Sequence, residues 1–221
     1  MINFNIITIF PEALQPYADA SILGRAQKKK IIKINLVNLR DFTKDRHHTV
    51  DDRAYGGGPG MVLKIEPIYQ AVKFLRSKNK DKKSKFGSRV ILFSTRGKKF
   101  DARAAKRLSR YRQIIFICGR YEGVDERVAQ HIADEEISIG DYVLSGGELP
   151  ALVLTEAISR QIKGVLGKNE SLEEIKGSYP VYTRPEIFLS RLERRGSKKW
   201  RVPKELLSGN HRLIEKMRQG E

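Results

Sequence analysis

The sequence predicts an α/β domain built on a largely parallel sheet, followed by a small, basic, helical C-terminal domain. Three observations predict it. Apolar segments of strand character alternate with segments of helical spacing, the pattern of strands joined by crossover helices. One segment, Gln113–Cys118, is apolar almost throughout, as a strand covered on both faces is. From about Lys168 the apolar density falls and charge rises. The expected division is an α/β domain over residues 1–163, a linker over 164–183 and a basic domain over 184–221.

The elements follow in order. Asn3–Phe10 is apolar and β-branched and stops at Pro11, which reads as a buried strand. Ile31–Leu39 alternates at Ile32, Ile34 and Leu36, a second strand. Asp41–Gly60 is polar and closes in a glycine run, a long loop. Glu66–Ser77 carries Ile68, Val72 and Leu75 at helical spacing. Arg89–Ser94 reads as a strand and Asp101–Leu108 as a helix capped by Asp101. After the strand Gln113–Cys118 come a helix over Val124–Ile132, a short strand over Glu136–Ile139 and a long helix over Glu148–Lys163, which starts beside Pro150. Helical pieces are expected from Arg184 onward, and no internal repeat is visible.

The charge points to a polyanionic partner. Forty-three Lys and Arg against 26 Asp and Glu give +17 over 221 residues. Neutralising phosphates with such cations releases counterions and favours nucleic-acid binding. The basic residues concentrate in Arg76–Arg89 and Arg184–Arg218, whereas Asp134–Glu148 holds five acids and no base. A single cysteine, Cys118, excludes an internal disulfide framework and a cysteine-rich zinc site. No apolar run approaches the ~18–20 residues of a membrane span. The N-terminus lacks the charged region and cleavage site of a signal peptide, so a cytoplasmic address and no membrane partner are expected.

Three glycine clusters fall after strands or in loops: Gly56–Gly60 (GGGPG), Gly119–Gly123 (GRYEG) and Gly140–Gly147 (GDYVLSGG). Beyond the carboxyl ends of strands in an open α/β sheet, glycine lets backbone polar groups approach a ligand. No P-loop and no strand-to-helix GxGxxG occurs. Acids flank the last two clusters at Glu122, Asp125, Glu126, Asp141 and Glu148. Such a pocket suits a neutral or cationic ligand better than a polyphosphate. S-adenosylmethionine, with its sulfonium and amino groups, fits and ATP fits poorly.

GRYEGVDER (Gly119–Arg127) and SIGDYVLSGGELPA (Ser138–Ala151) resemble the bacterial tRNA (guanine-N1)-methyltransferase family, a SPOUT class. DFTKDRHHTVDDRAYGGGPGM (Asp41–Met61) is similar to the family's substrate loop. IFPE (Ile9–Glu12), GVLG (Gly164–Gly167), YTRPE (Tyr182–Glu186) and LLSGNH (Leu207–His211) extend the likeness from the first strand nearly to the end. The resemblance implies a deep trefoil knot in the α/β domain, an exception to the rule against threaded chains. It implies S-adenosylmethionine bent in that knot, and a homodimer whose active sites each draw on both subunits. It implies tRNA as substrate, methylated on N1 of the guanosine 3′ of the anticodon, and divalent-ion dependence through Mg2+. Two other readings share the motifs: a non-catalytic RNA-binding relative, and a knotted methyltransferase acting on rRNA.

Carried over by position, the resemblance makes Leu92, Ser94, Gly119, Tyr121, Glu122, Ser138, Ile139, Gly140, Tyr142, Val143, Leu144, Gly146, Gly147 and Pro150 the cofactor site. Asp52, Arg53, Gly58 and Arg184 become nucleic-acid contacts. Arg160, in SRQIKGVLG, takes the place of the arginine that stabilises charge on guanine O6. The family's catalytic aspartate sits in an acidic-Ser-Phe stretch between GVLG and YTRP. Here that stretch is shorter and lacks the Ser-Phe pair, leaving Glu173 or Glu174 as the general base. The adjacent His47 and His48 point different ways in an extended chain, so no metal site is expected there. Family members commonly run on for about two more helices past the segment matching Leu207–Arg218, so reduced anticodon-stem contact is expected of a sequence ending at Glu221.

Overall fold

A computed structural model describes residues 1–78, 86–167, 179–190 and 198–219. Strands β1 (Ile2–Thr8), β2 (Ile32–Asn38), β5 (Ser88–Lys99), β6 (Gln113–Ile117) and β7 (Glu135–Ser138) form a five-stranded sheet in the order β2-β1-β6-β5-β7. Every pairing in it is parallel. Between them run helices α1 (Gln15–Ala18), α2 (Ser21–Lys28), α3 (Ile65–Ser77), α4 (Ala102–Leu108) and α5 (Glu126–His131), and α6 (Glu148–Arg160) follows β7.

The sequence of β6 explains why it lies inside. All five of its residues are buried. Ile114 and Phe116 enter one apolar cluster with Phe4, Leu23, Leu108 and Ile158. Ile115 and Ile117 enter a second with Ile7, Leu63, Ile68, Val72 and Val128. Successive side chains of a strand point to opposite faces, so one unbroken apolar run fills two cores. Phe116 stacks between Phe4 and Phe93, with ring centroids 6.2 and 5.4 Å away. Burying such a ring contributes about 2–3 kcal/mol.

β5 is longer than expected. It runs on past Ser94 to Lys99, with a break in its register against β7 between Phe93 and Lys98. Gly97 permits the return, since a Cβ there would stand 2.6 Å from the backbone nitrogen of Ile137. Asp101 caps α4 as expected, its carboxylate accepting from the Ala104 N–H at 2.7 Å. The segment read as one long polar loop contains a two-residue ladder, β3 (Asp51–Asp52) against β4 (Val62–Leu63).

The chain divides into two compact units, residues 1–169 and 170–221. In the second unit the described residues hold helices Lys204–Leu207 and His211–Gln219, as expected. They also hold an antiparallel pair, β8 (Ile187–Ser190) with β9 (Lys198–Arg201), that the helical reading did not foresee.

Candidate active site

β6, β5 and β7 are neighbours, so their carboxyl ends open side by side. The loops leaving them bound one cleft of about 480 Å³. Leu92, Ser94, Gly119, Tyr121, Glu122, Ser138, Ile139, Gly140, Tyr142, Val143, Leu144, Gly146, Gly147 and Pro150 all line it. The structure therefore brings together every residue placed in the cofactor set by position. Glu126, read from the sequence as a flanking acid, lines the same cleft, as does Arg120 of the GRYEG cluster; Phe93, Arg96 and Glu136, which also line it, were missed by sequence reasoning. The register break in β5 carries Arg96 there, and the fragmentary strand signal of Thr95–Lys99 hid it.

The two glycine loops interlock. The Gly147 N–H donates to the Gly119 carbonyl at 3.0 Å, and Arg120 bridges to Gly146. A Cβ on Gly147 would lie 2.6 Å from the Cys118 Cα, so this approach requires glycine. Arg120 donates from Nε to Glu148 Oε2 at 3.0 Å, and Thr8 donates to Glu148 Oε1 at 2.7 Å. Glu148 is only 5% exposed. The Arg120 guanidinium lies over the Phe10 ring, 4.7 Å from its centroid. Burial, then the Glu148 carboxylate, push the Cys118 thiol well above its usual range against the pull of Arg120. Cys118 therefore stays a neutral packing group.

The remaining wall is shaped locally. Tyr121 adopts a left-handed backbone, φ +58°, which turns the chain between Arg120 and Glu122. The Ser138 hydroxyl accepts from the Gly140 N–H at 3.2 Å, and the Tyr142 hydroxyl donates to the Ile139 carbonyl at 3.2 Å. Arg96 donates to Glu126 at 2.7 Å across the mouth. The Glu122, Glu126 and Glu136 side chains give the lining more acid than base.

The loop carrying the expected nucleic-acid contacts is tied to this cleft. The Glu122 N–H donates to the Met61 carbonyl and the Leu63 N–H to the Gly123 carbonyl, each at 3.0 Å. A Cβ on Gly60 would meet the Glu122 side chain at 2.6 Å. Asp52, Arg53 and Gly58 lie exposed on that loop, and Asp52 accepts from the Arg53 N–H at 2.8 Å. His48 Nδ1 sits 3.1 Å from the Arg40 carbonyl, a contact that shapes the loop. Arg184 is exposed in the second unit.

Arg160 is not in the cleft lining. It closes α6, about 20 Å along the helix from Gly147 at 1.5 Å per residue. It is half-buried and shares a helical stripe with Leu149, Val153 and Glu156. Leu149 and Val153 are 61% and 47% exposed. Glu173 and Glu174 lie outside the described residues, as do residues 79–85 of the first basic block.

The family model described as tRNA (guanine-1)-methyltransferase TrmD matches residues 2–221. A tRNA (guanine-N(1)-)-methyltransferase of Carboxydothermus hydrogenoformans is 48% identical over 98% of this chain and 81% of its own length. One from Dictyoglomus turgidum is 48% identical over 100% of this chain and 85% of its own. A solved structure titled tRNA (m1G37) methyltransferase from Aquifex aeolicus superposes with a TM-score of 0.77 and 42% identity, covering 97% of this chain and 86% of that one.

Proposed function

The chain belongs to the tRNA (guanine-1)-methyltransferase family, and we propose that its loop cleft seats S-adenosylmethionine while a second copy of the chain supplies Arg160 to the guanine. It is a transferase that methylates N1 of guanine in tRNA, at the guanosine 3′ of the anticodon. A knotted SPOUT fold is the reading for the α/β unit, supported by the contact between the Gly119 and Gly147 loops.

The observation that carries the proposal is the convergence of the glycine loops in one acid-lined cleft. Its residues fit the donor. The volume lies within the ~300–1,000 Å³ of small-molecule sites. Gly146 and Gly147 bring the backbone where a Cβ would strike Arg120 or Cys118. Arg96 pairs with Glu126 and Glu136, which leaves Glu122 as the acid that complements a sulfonium or ammonium group. When bound, S-adenosylmethionine supplies an electrophilic methyl carbon.

The protein must then make guanine N1 nucleophilic. Neutral guanine carries a proton there, and Glu173 or Glu174 is the proposed carboxylate that accepts it. General-base help of this kind contributes ~10²–10⁴-fold. As the N1–H bond breaks, charge moves toward O6, where the Arg160 guanidinium stabilises it. Asp52, Arg53 and Gly58 hold the target nucleotide from the loop joined to Glu122, and Arg184 contacts the tRNA from the C-terminal unit. Among the described residues no three His, Cys, Asp or Glu side chains cluster as metal ligands.

The dimer is inferred from α6. Exposed Leu149 and Val153 form an apolar stripe with Arg160 at its end. Two copies meeting about a two-fold axis would cover it. An antiparallel meeting would carry each Arg160 toward the partner's cleft, which its own chain does not reach. Among the described residues no helix is long and apolar enough to cross a membrane, and a tRNA substrate assigns the enzyme to the cytoplasm.

Methyl transfer from labelled donor to a tRNA transcript tests the reading. Transfer to a transcript with guanosine 3′ of the anticodon, and loss of transfer when adenosine replaces it, is expected. Equal transfer to both would reject it.

A further inference from the structure

The C-terminal unit carries a feature that methyl transfer does not use. In the β8–β9 ladder, Phe188 stands opposite Trp200. Directly paired residues share a face of the sheet, and these two rings sit with centroids 5.7 Å apart. Aromatic pairs in the first unit's core are covered by other side chains. This one is open, with Phe188 51% and Trp200 48% exposed. The other face pairs Ile187 with Arg201 and Leu189 with Lys199. Neither strand contains a carboxylate.

Open rings alone would suit many partners. Rings interleaved with Lys and Arg, with no acid in either strand, suit a polyanion that also offers flat π faces. Unpaired nucleotides have both properties, and aromatic stacking on bases tolerates any sequence. We propose that Phe188 and Trp200 form a stacking platform for unpaired bases of the RNA substrate, while Lys199 and Arg201 on the opposite face add only longer-range attraction for its phosphates. This rests on tRNA being the substrate and names how part of it is held.

Trp200 is the chain's one tryptophan, so its emission reports on the platform alone. The full chain is titrated with an unmodified tRNA transcript while Trp200 emission is followed. Anisotropy of an end-labelled transcript reports binding in parallel. Quenching with the same midpoint as the anisotropy change is expected. Phe188→Ala and Trp200→Ala should each weaken binding on the order of tenfold, and Trp200→Phe should restore most of the loss. The salt slope of binding should persist, because no phosphate contact is removed. Calorimetry should show unchanged S-adenosylmethionine affinity in all three variants, which reports on the first unit, while rescue by Trp200→Phe reports on the fold of the second. Transcript binding with unchanged Trp200 emission, or native-like binding by both alanine variants, would overturn the proposal. So would emission that is blue-shifted without RNA and depends on protein concentration, which would put a second copy on the platform. Quenching without methyl transfer by the native chain would reject the substrate reading and leave the platform standing.

Discussion

Arg120 Nε donates to Glu148 Oε2 at 3.0 Å, and this part-buried ion pair joins the loop after β6 to the first turn of α6. Thr8 of β1 holds the other carboxylate oxygen at 2.7 Å. Glu148 thus locks three elements behind the cleft without lining it. The acid also sits in the first helical turn, where the helix dipole favours negative charge.

Removing that carboxylate strands a partly buried guanidinium. Breaking one side of a buried pair costs about 3–5 kcal/mol. The Arg120 side chain is 24% exposed and lines the open cleft, where water can reach it, so Glu148→Ala is expected to lose less than that in denaturant melts, about 1–3 kcal/mol. It should also weaken donor binding by calorimetry, because the two glycine loops lose their common anchor. Stability within ~0.5 kcal/mol of native would remove the lock from the account.

Gly147→Ala probes the approach of the loops directly. The added methyl would stand 2.6 Å from the Cys118 Cα, a backbone atom that cannot swing away. Donor affinity is expected to fall by tenfold or more, about 1.4 kcal/mol. Calorimetry measures this, and unchanged affinity would show that the cleft tolerates a looser join.

Much of this arrangement was legible in the sequence for physical reasons. Gln113–Cys118 announced a doubly covered strand because both its faces are apolar, and Asp101 announced a helix start. The loops that line the cleft were legible because glycine is needed where backbones touch. Other features leave weaker traces. α2 contains Gly24, where a Cβ would meet the Asp19 carbonyl at 2.0 Å, so an apparent helix breaker is a packing requirement. The extension of β5 has the polar sequence Thr95–Lys99, and its Arg96 reached the cleft unannounced. β8 and β9 are four residues each and rich in charge or exposed apolar groups, which masks a period of two. Arg160's distance from its own cleft is a tertiary fact that no motif encodes.

Glu174→Gln is expected to lower single-turnover methylation by ~10²-fold or more with donor affinity unchanged. Glu173→Gln serves as the comparison, since only one of the two should face guanine N1. Rapid-quench methylation at saturating tRNA decides it, and native rates in both variants would require another base.

Acid should loosen the sheet at β7. Glu135 accepts from Arg89 at 2.8 Å and from Arg107 at 2.7 Å. Burial raises its pKa, but the two guanidinium groups outweigh burial and hold it below the usual carboxylate value. A carboxylate depressed in the folded state stabilises above its unfolded pKa, and that contribution is lost as pH falls through the folded value. Thermal melts should therefore show native stability declining below about pH 4.5, and Glu135→Gln should flatten part of the decline. A variant curve parallel to native would contradict this.

Subunit complementation tests the composite site most directly. Arg160→Ala and Gly147→Ala chains would be co-expressed so that mixed dimers form, and assayed at a donor concentration far below the affinity of the Gly147→Ala cleft, where each variant alone gives little transfer. Each mixed dimer has one intact cleft facing one intact Arg160. Random pairing makes about half the dimers mixed, so methyl transfer should recover to about a quarter of the native rate. No recovery, with mixed dimers shown by affinity tags on each chain, would mean that cleft and guanidinium act within one chain and would contradict the account.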